Sequence, residues 1–428
     1  MDMLVLLARY PTKVKSLLPE TTSGVAYLVV DNHVRGGVDS FVRTLLRGLA
    51  RCGTPTCLII NRSFPGLEDI RRMAIPLLEI RTFRSSFSLS WFTGLGRSRG
   101  RVRQKVHNGL VWLIELLAVP ASSVVRRIQY RWLENQRVLV INGGFPGSPS
   151  CRAMTLALSH KNVIYMNVHG LAPPHRGLKR HIEERIDTAL SRRVTRFVSV
   201  SNAARDALQS RLPSCGVDHS VVLNAVEAPE AIPHSTTSPK ATEIKGRGFE
   251  VGLVGTFHRD KGHFFALEIM AKIRENLEIC AWRLNLFGAD PYNISSAVKQ
   301  RARDLKVEDL VEFHEYEEDP NIIYRNIDVL IIPSLKPESF SLVAAEAAAR
   351  TIPVFASNVG ALPEIMTLIH RSQVLDSKNP SSWAEALLKW STLDKSPEPR
   401  ELVTSPSRLF SPDSMTKEYL DILFERST

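Results

Sequence analysis

Cysteine is scarce in this chain of 428 residues: Cys52, Cys57, Cys151, Cys215 and Cys280 are scattered and odd in number. No Cys-x2-Cys or other paired spacing joins them, which argues against a structural zinc site or a disulfide framework and for a reducing compartment. Long apolar runs are missing as well, none reaching the roughly 18 residues of a transmembrane helix. The first stretch, MDMLVLLARYP, has too short an apolar segment and no basic leader for a secretory signal, so a cytoplasmic location is expected. Carboxylates are outnumbered, 44 Asp and Glu against 55 Lys and Arg, for a net charge of +11. That excess implies an anionic partner, and membrane lipid, nucleic acid or a phosphorylated substrate would each satisfy it. Internal repeats and low-complexity tracts are absent, and no Asp-x-Asp motif stands in a convincing loop, so no metal or other cofactor is expected.

What is present is an ordinary globular composition, 44% hydrophobic and 23% charged, in a chain long enough for two or three cores. The apolar run Val25 to Val30 reads as a strand, followed by the pair Gly36-Gly37 and a helix whose apolar positions Val38, Phe41, Val42, Leu45, Leu46 and Leu49 keep helical spacing up to Gly53. Further strand-like runs, Thr56 to Asn61, Ile75 to Arg81, Arg137 to Asn142, Val163 to Val168 and Arg196 to Ser201, alternate with helical stretches. This alternation predicts a doubly wound α/β sheet with ligands at the carboxyl ends of the strands, where His169 follows VIYMNV. A Pro-, Ser-, Thr- and Lys-rich stretch to Gly248 reads as a linker. Beyond it, Val251 to Val254 leads through Gly255 and a loop to Lys261-Gly262, ahead of a helix carrying Phe264, Leu267, Ile269 and Ile273. A lysine at the mouth of such a helix is well placed to neutralise a diphosphate.

The chain is organised around Asp328 to Ile365, DVLIIPSLKPESFSLVAAEAAARTIPVFASNVGALPEI. An apolar strand, a turn, a helix of small residues and a second apolar strand form a βαβ signature. With a helix beginning near Ser339, Glu338 lies just before its start and Glu346 lies two turns in, about 12 Å along the axis. The backbone N–H groups of Ser339, Phe340, Ser341 and Leu342 would then face an anion.

This stretch resembles the Glu-x7-Glu segment of retaining glycosyltransferases of family 4, enzymes of the two-domain GT-B fold. The family form, Pro-Ser, then Glu-Gly-Phe-Gly-Leu, then Glu-Ala, stands here as Pro333-Ser334, Glu338-Ser339-Phe340-Ser341-Leu342 and Glu346-Ala347. The resemblance extends from Val25 nearly to the end through Gly36-Gly37, His169, FVSVSNAARDAL, VLNAVE, Lys261-Gly262 and GALPEI. It departs at Ala225, where the family's hinge has glycine, and at Thr256, where the family has arginine. The resemblance implies two Rossmann-like domains with a cleft between them. Residues 1–227 form the acceptor-side domain with a basic and apolar insertion at about 84–136, 228–248 the linker, and 249–408 the nucleotide-sugar domain. Residues 409–428 return as a helix onto the first domain. It also implies Lys261, Glu338 and His169 as catalytic residues, with Gly36, Gly37, Gly255, Arg259, Ser339 to Leu342 and Glu346 binding a nucleotide-diphosphate sugar. In this scheme Arg259 supplies the charge lost at Thr256.

The insertion carries Arg97, Arg99, Arg101, Arg103 and Lys105, and then LVWLIELLAVP from Leu110 to Pro120. A basic flank beside Trp112, Leu113, Leu116 and Leu117 suits an interfacial helix on anionic lipid; the alternative is a solvated loop followed by a core helix. No aromatic-interleaved or helix-turn-helix pattern accompanies the charge, so nucleic acid is not expected. The expected activity is transfer of a sugar to a hydroxyl acceptor, preferably lipid-linked, in envelope polysaccharide, lipopolysaccharide or glycolipid synthesis, on the inner face of the plasma membrane. The alternatives are a catalytically impaired transferase-like binding subunit and a nucleotide-sugar epimerase.

Overall fold

The structure is a computed structural model that describes residues 24–33, 36–84, 119, 122–145, 147–175, 180–212, 216–227, 248–276, 281–317, 319–392 and 408–424. The cation run Arg97 to Lys105, the apolar stretch from Leu110 except the buried Val119, and the body of the linker, 228–247, lie outside the described residues.

Two all-parallel sheets account for the strands of the described residues. The first contains β1 (Ala26–Val30), β2 (Thr56–Asn61), β3 (Leu78–Phe83), β4 (Arg137–Asn142), β5 (Val163–Val168), β6 (Arg196–Ser199) and β7 (Asp218–Val221), in the order β3-β2-β1-β4-β5-β6-β7. The second contains β8 (Phe249–Val254), β9 (Trp282–Phe287), β10 (Val311–His314), β11 (Val329–Ile332), β12 (Val354–Ser357) and β13 (Ser372–Leu375), in the order β10-β9-β8-β11-β12-β13. Both orders reverse direction once, between β1 and β4 and between β8 and β11. The crevice at such a reversal is where a parallel α/β sheet binds ligand. The central strands read as continuous apolar runs because helices cover both faces; β11, VLII, is buried at every position.

The expected two Rossmann-like domains are therefore present, with boundaries that shift in places. β3 lies three residues further along than its apolar run, and β7 and β13, whose exposed edges carry Asp218, His219 and Gln373, were not legible as apolar strands. Ala225 keeps a negative φ and is buried, so the glycine expected at this point is not required for a left-handed turn.

The helix Pro412–Phe424 packs on the first domain: Met415, Tyr419, Leu420 and Leu423 share a core with Phe41, Val42, Leu45, Leu46 and Leu49 of the helix Gly37–Arg51. Gly48 permits this close crossing, since a Cβ there would lie 1.9 Å from Thr416 Oγ1. Asn167 at the end of β5 donates to the buried Tyr419 hydroxyl at 2.6 Å. The domains also meet directly. The Glu364 carboxylate accepts from the backbone N–H of Asn202 (2.8 Å) and Ala203 (3.1 Å) at the start of the helix Asn202–Arg211.

Candidate active site

The loops after β1, β4, β5, β8 and β11 enclose a cavity of about 430 Å³ between the domains. The second domain supplies Gly255, Thr256, Lys261, Ser334, Glu338 and the run Ser339 to Val343; the first supplies Gly37, Val38, Gly143, His169 and Asn224.

Lys261 stands at the end of a short 3-10 turn, Arg259–Lys261, and Gly262 then takes a left-handed φ of 79°. A Cβ on Gly262 would lie 1.9 Å from the Pro333 carbonyl oxygen, so glycine is what lets the β8 loop close onto the end of β11. Two more bonds pin these loops together, Leu335 N to Asp260 O at 2.8 Å and the Lys336–Asp260 ion pair at 2.8 Å. Across this junction Lys261 Nζ donates to Glu338 Oε1 at 2.6 Å, and the buried Ser334 hydroxyl donates to the same oxygen at 2.5 Å. Ser334 belongs to the Pro-Ser pair visible in the sequence, but its bond to Glu338 is a product of the fold.

The helix begins three residues later than its spacing predicts, at Leu342. Residues before it are held extended: Glu338 forms a β-bridge with Gly360, and Ala361 N donates to Glu338 O at 2.7 Å. Gly360 is left-handed (φ 61°) and a Cβ there would strike the Glu338 backbone at 2.3 Å. Ser341, at the N-cap, makes no side-chain cap bond, so its hydroxyl leaves the first-turn N–H groups open toward the cavity that Leu342 and Val343 line. The late start also places Glu346 only about one turn into the helix rather than two.

His169 is buried, with its ring edge-on to Phe41 at 4.4 Å. Burial pushes its pKa down to about 3, which keeps the ring neutral at pH 7, and Nε2 has no hydrogen-bond partner among the described residues. Its backbone oxygen accepts from Ser339 Oγ at 2.5 Å, a bond between the two domains.

Gly36 is the N-cap of the helix Gly37–Arg51 and borders a neighbouring cavity of about 470 Å³ that shares Gly37, Val38 and Gly143 with the first. That second cavity holds groups the sequence did not single out. The buried Asp31 carboxylate accepts from Ser148 Oγ and faces His33 Nε2 at 3.2 Å, and the bond to Asp31 raises the His33 pKa. Their only sequence signal is their place in the loop after β1.

Three expected residues are not brought to the cavity between the domains: Gly36, which lines the neighbouring one, Arg259 and Glu346. Arg259 directs its guanidinium over the Phe264 ring, 5.5 Å from its centroid, away from the position next to Thr256 that it was expected to supply. Glu346 is turned to the buried Tyr324, whose hydroxyl donates to Oε2 at 3.0 Å; burial raises the Glu346 pKa against the opposing pull of Tyr324 and Arg350.

With this geometry in view, residues 248–392 match the family model described as Glycosyl transferases group 1. The matched stretch spans the second domain, from β8 to the helix that ends at 392. A D-inositol 3-phosphate glycosyltransferase of Corynebacterium kroppenstedtii is 32% identical over 165 residues, 36% of this chain and 36% of that protein. The aligned stretch thus spans about a third of the relative's length. Among solved structures, a glycosyltransferase from Rickettsia africae superposes with a TM-score of 0.68 at 15% identity, covering 94% of this chain and 99% of the other. Anabaena Alr3699/HepE in complex with UDP-glucose gives 0.63 at 13% identity over the same shares. The two domains together have the two-domain GT-B fold. Among the described residues no helix is long and apolar enough to cross a membrane.

Proposed function

We propose that this protein is a retaining glycosyltransferase of family 4 that moves a sugar from a nucleoside diphosphate to a hydroxyl acceptor in the interdomain cavity. The observation that carries this reading is the meeting of Lys261, Glu338 and the uncapped start of the helix Leu342–Ala349 with His169 of the other domain. As the bond from the anomeric carbon to phosphate oxygen breaks, negative charge grows on the β-phosphate and the sugar gains oxocarbenium character. Lys261 and the open N–H groups stabilise that charge. Glu338, held by Ser334 and Lys261, accepts sugar hydroxyls, and His169 Nε2 bonds the sugar from the opposite side. The acceptor hydroxyl attacks from the face the diphosphate leaves, and its proton passes to the phosphate. The ribose hydroxyls take the place of Tyr324 on Glu346. The acceptor side is the cavity of Asp31 and His33, open to a lipid-linked acceptor in envelope polysaccharide or glycolipid synthesis at the inner membrane face. The reading includes no metal or other cofactor.

A second reading, a non-catalytic transferase-like subunit, is favoured by Thr256 together with the averted Arg259. Slow hydrolysis of uridine, guanosine and adenosine diphosphate sugars separates the two. Uridine donors come first, since the Anabaena neighbour holds UDP-glucose. Turnover of one donor, lost in Lys261→Ala and in Glu338→Gln, is the expected result; no turnover of any donor moves the assignment to the binding subunit.

A further inference from the structure

The crossing from β3 to β4 presents a surface that the donor site does not use. Residues 122–129 are helical, and Arg126, Tyr130 and Leu133 face inward, Arg126 over the Phe83 ring at 4.8 Å. The outward side is apolar: Val124, Val125 and Ile128 are 64%, 65% and 57% exposed. At 3.6 residues per turn these three fall within about 100° of arc, a single stripe, and the partly exposed Trp132 follows in the next turn. Arg127 and Arg131 run along one edge of it, both exposed and neither paired with a carboxylate among the described residues. No acidic residue occurs from 116 to 133, and the nearest, Glu134, is paired with Lys161. Cations gather here: burial and then the charge of Arg127 hold the Arg193 guanidinium below its usual range.

Val124, Val125 and Ile128 carry no group that hydrogen-bonds to a base edge or stacks on a base face. An apolar stripe edged by unpaired guanidinium groups fits the headgroup boundary of an anionic bilayer. We propose that the 122–132 face rests on such a bilayer, with Val124, Val125 and Ile128 at the acyl edge and Arg127 and Arg131 on headgroup phosphates. This rests on the membrane-side part of the function proposed above and names the surface that carries it; it does not depend on the donor chemistry.

The test is co-sedimentation of the full-length protein, without nucleotide, with phosphatidylcholine vesicles that do or do not contain phosphatidylglycerol. The expected result is partition onto the anionic vesicles alone. Arg127→Gln with Arg131→Gln weakens it about 25-fold, at about fivefold for each basic residue near the surface. Val125→Glu with Ile128→Glu abolishes it with an unchanged melting temperature; should that pair unfold, the glutamine pair decides. The proposal is overturned if the wild type ignores anionic vesicles, or if both pairs bind like the wild type while deletion of 97–117 releases the protein. It is also overturned if the wild type is a dimer that the glutamate pair dissolves, which gives the face to a second copy. A silent donor screen leaves this result standing, and a failed vesicle experiment leaves the donor assignment untouched.

Discussion

Two histidines show how burial, rather than a charged partner, sets protonation in this protein. His169 is held down to a pKa of about 3, and His263, stacked on Phe257 at 4.5 Å beside the Lys261 turn, to about 4. Both titrate near 6.5 when unfolded, so between the folded and unfolded values the unfolded chain binds more protons. Their contribution to stability is therefore complete above pH 6.5 and is lost as the pH falls toward 4, each histidine removing about 1.4 kcal/mol per pH unit inside its window. Melting temperatures measured from pH 7 to pH 4 should fall steeply, and His263→Phe, which keeps the ring stack, should flatten the slope by one proton; an unchanged slope would contradict the assignment. At this scale the sequence was informative about which side chains line the cavity and silent about their direction. Lys261, Glu338 and His169 are where their motifs put them, because each follows a strand end that fixes its position. Arg259 and Glu346 point elsewhere because Phe264, in the helix that follows the loop, and Tyr324, on a separate helix, offer them closer partners.

Among elements, the join between the short helix Leu362–Met366 and the helix Asn202–Arg211 matters more than its size suggests. Ser201 caps Ala204 N at 3.0 Å, and Glu364 takes Asn202 N and Ala203 N, so three of the four unsatisfied N–H groups of one domain's helix are met, two of them by the other domain. Replacement by Glu364→Ala removes both the cap and a carboxylate at the positive end of the helix, and should cost about 1–2 kcal/mol. Denaturant unfolding should show this as a lowered midpoint and, where the domains separate, as a second transition; a single unshifted transition would deny Glu364 this role. The GALPEI segment was recognisable in the sequence, but not this contact, nor the β-bridge from Gly360 that holds Glu338 extended. Helical spacing from Ser339 onward was a fair signal. It lost to a strand-like pairing with a glycine over twenty residues away, which no local pattern records.

The molecule as a whole is two parallel sheets whose reversals of strand order face one another. The interdomain cavity lies where those two crevices meet. The terminal helix Pro412–Phe424 returns to the first domain and fills the core around Phe41, whose ring in turn supports His169. The alternation of strands and helices was enough to foretell this architecture, since a doubly wound sheet is the compact way to bury such runs. The relative placement of the domains was not, because it depends on contacts such as Ser339 with His169 that join residues 170 positions apart. The central claim is that this shared cavity binds a nucleoside diphosphate through Lys261. Calorimetric titration with UDP, GDP and ADP, with Lys261→Ala alongside, tests it most directly. One nucleotide should bind, and the substitution should weaken it about 10- to 100-fold, the loss of a charged hydrogen bond of about 1.5–3 kcal/mol. Absence of binding by all three, or equal binding by the variant, would contradict the account.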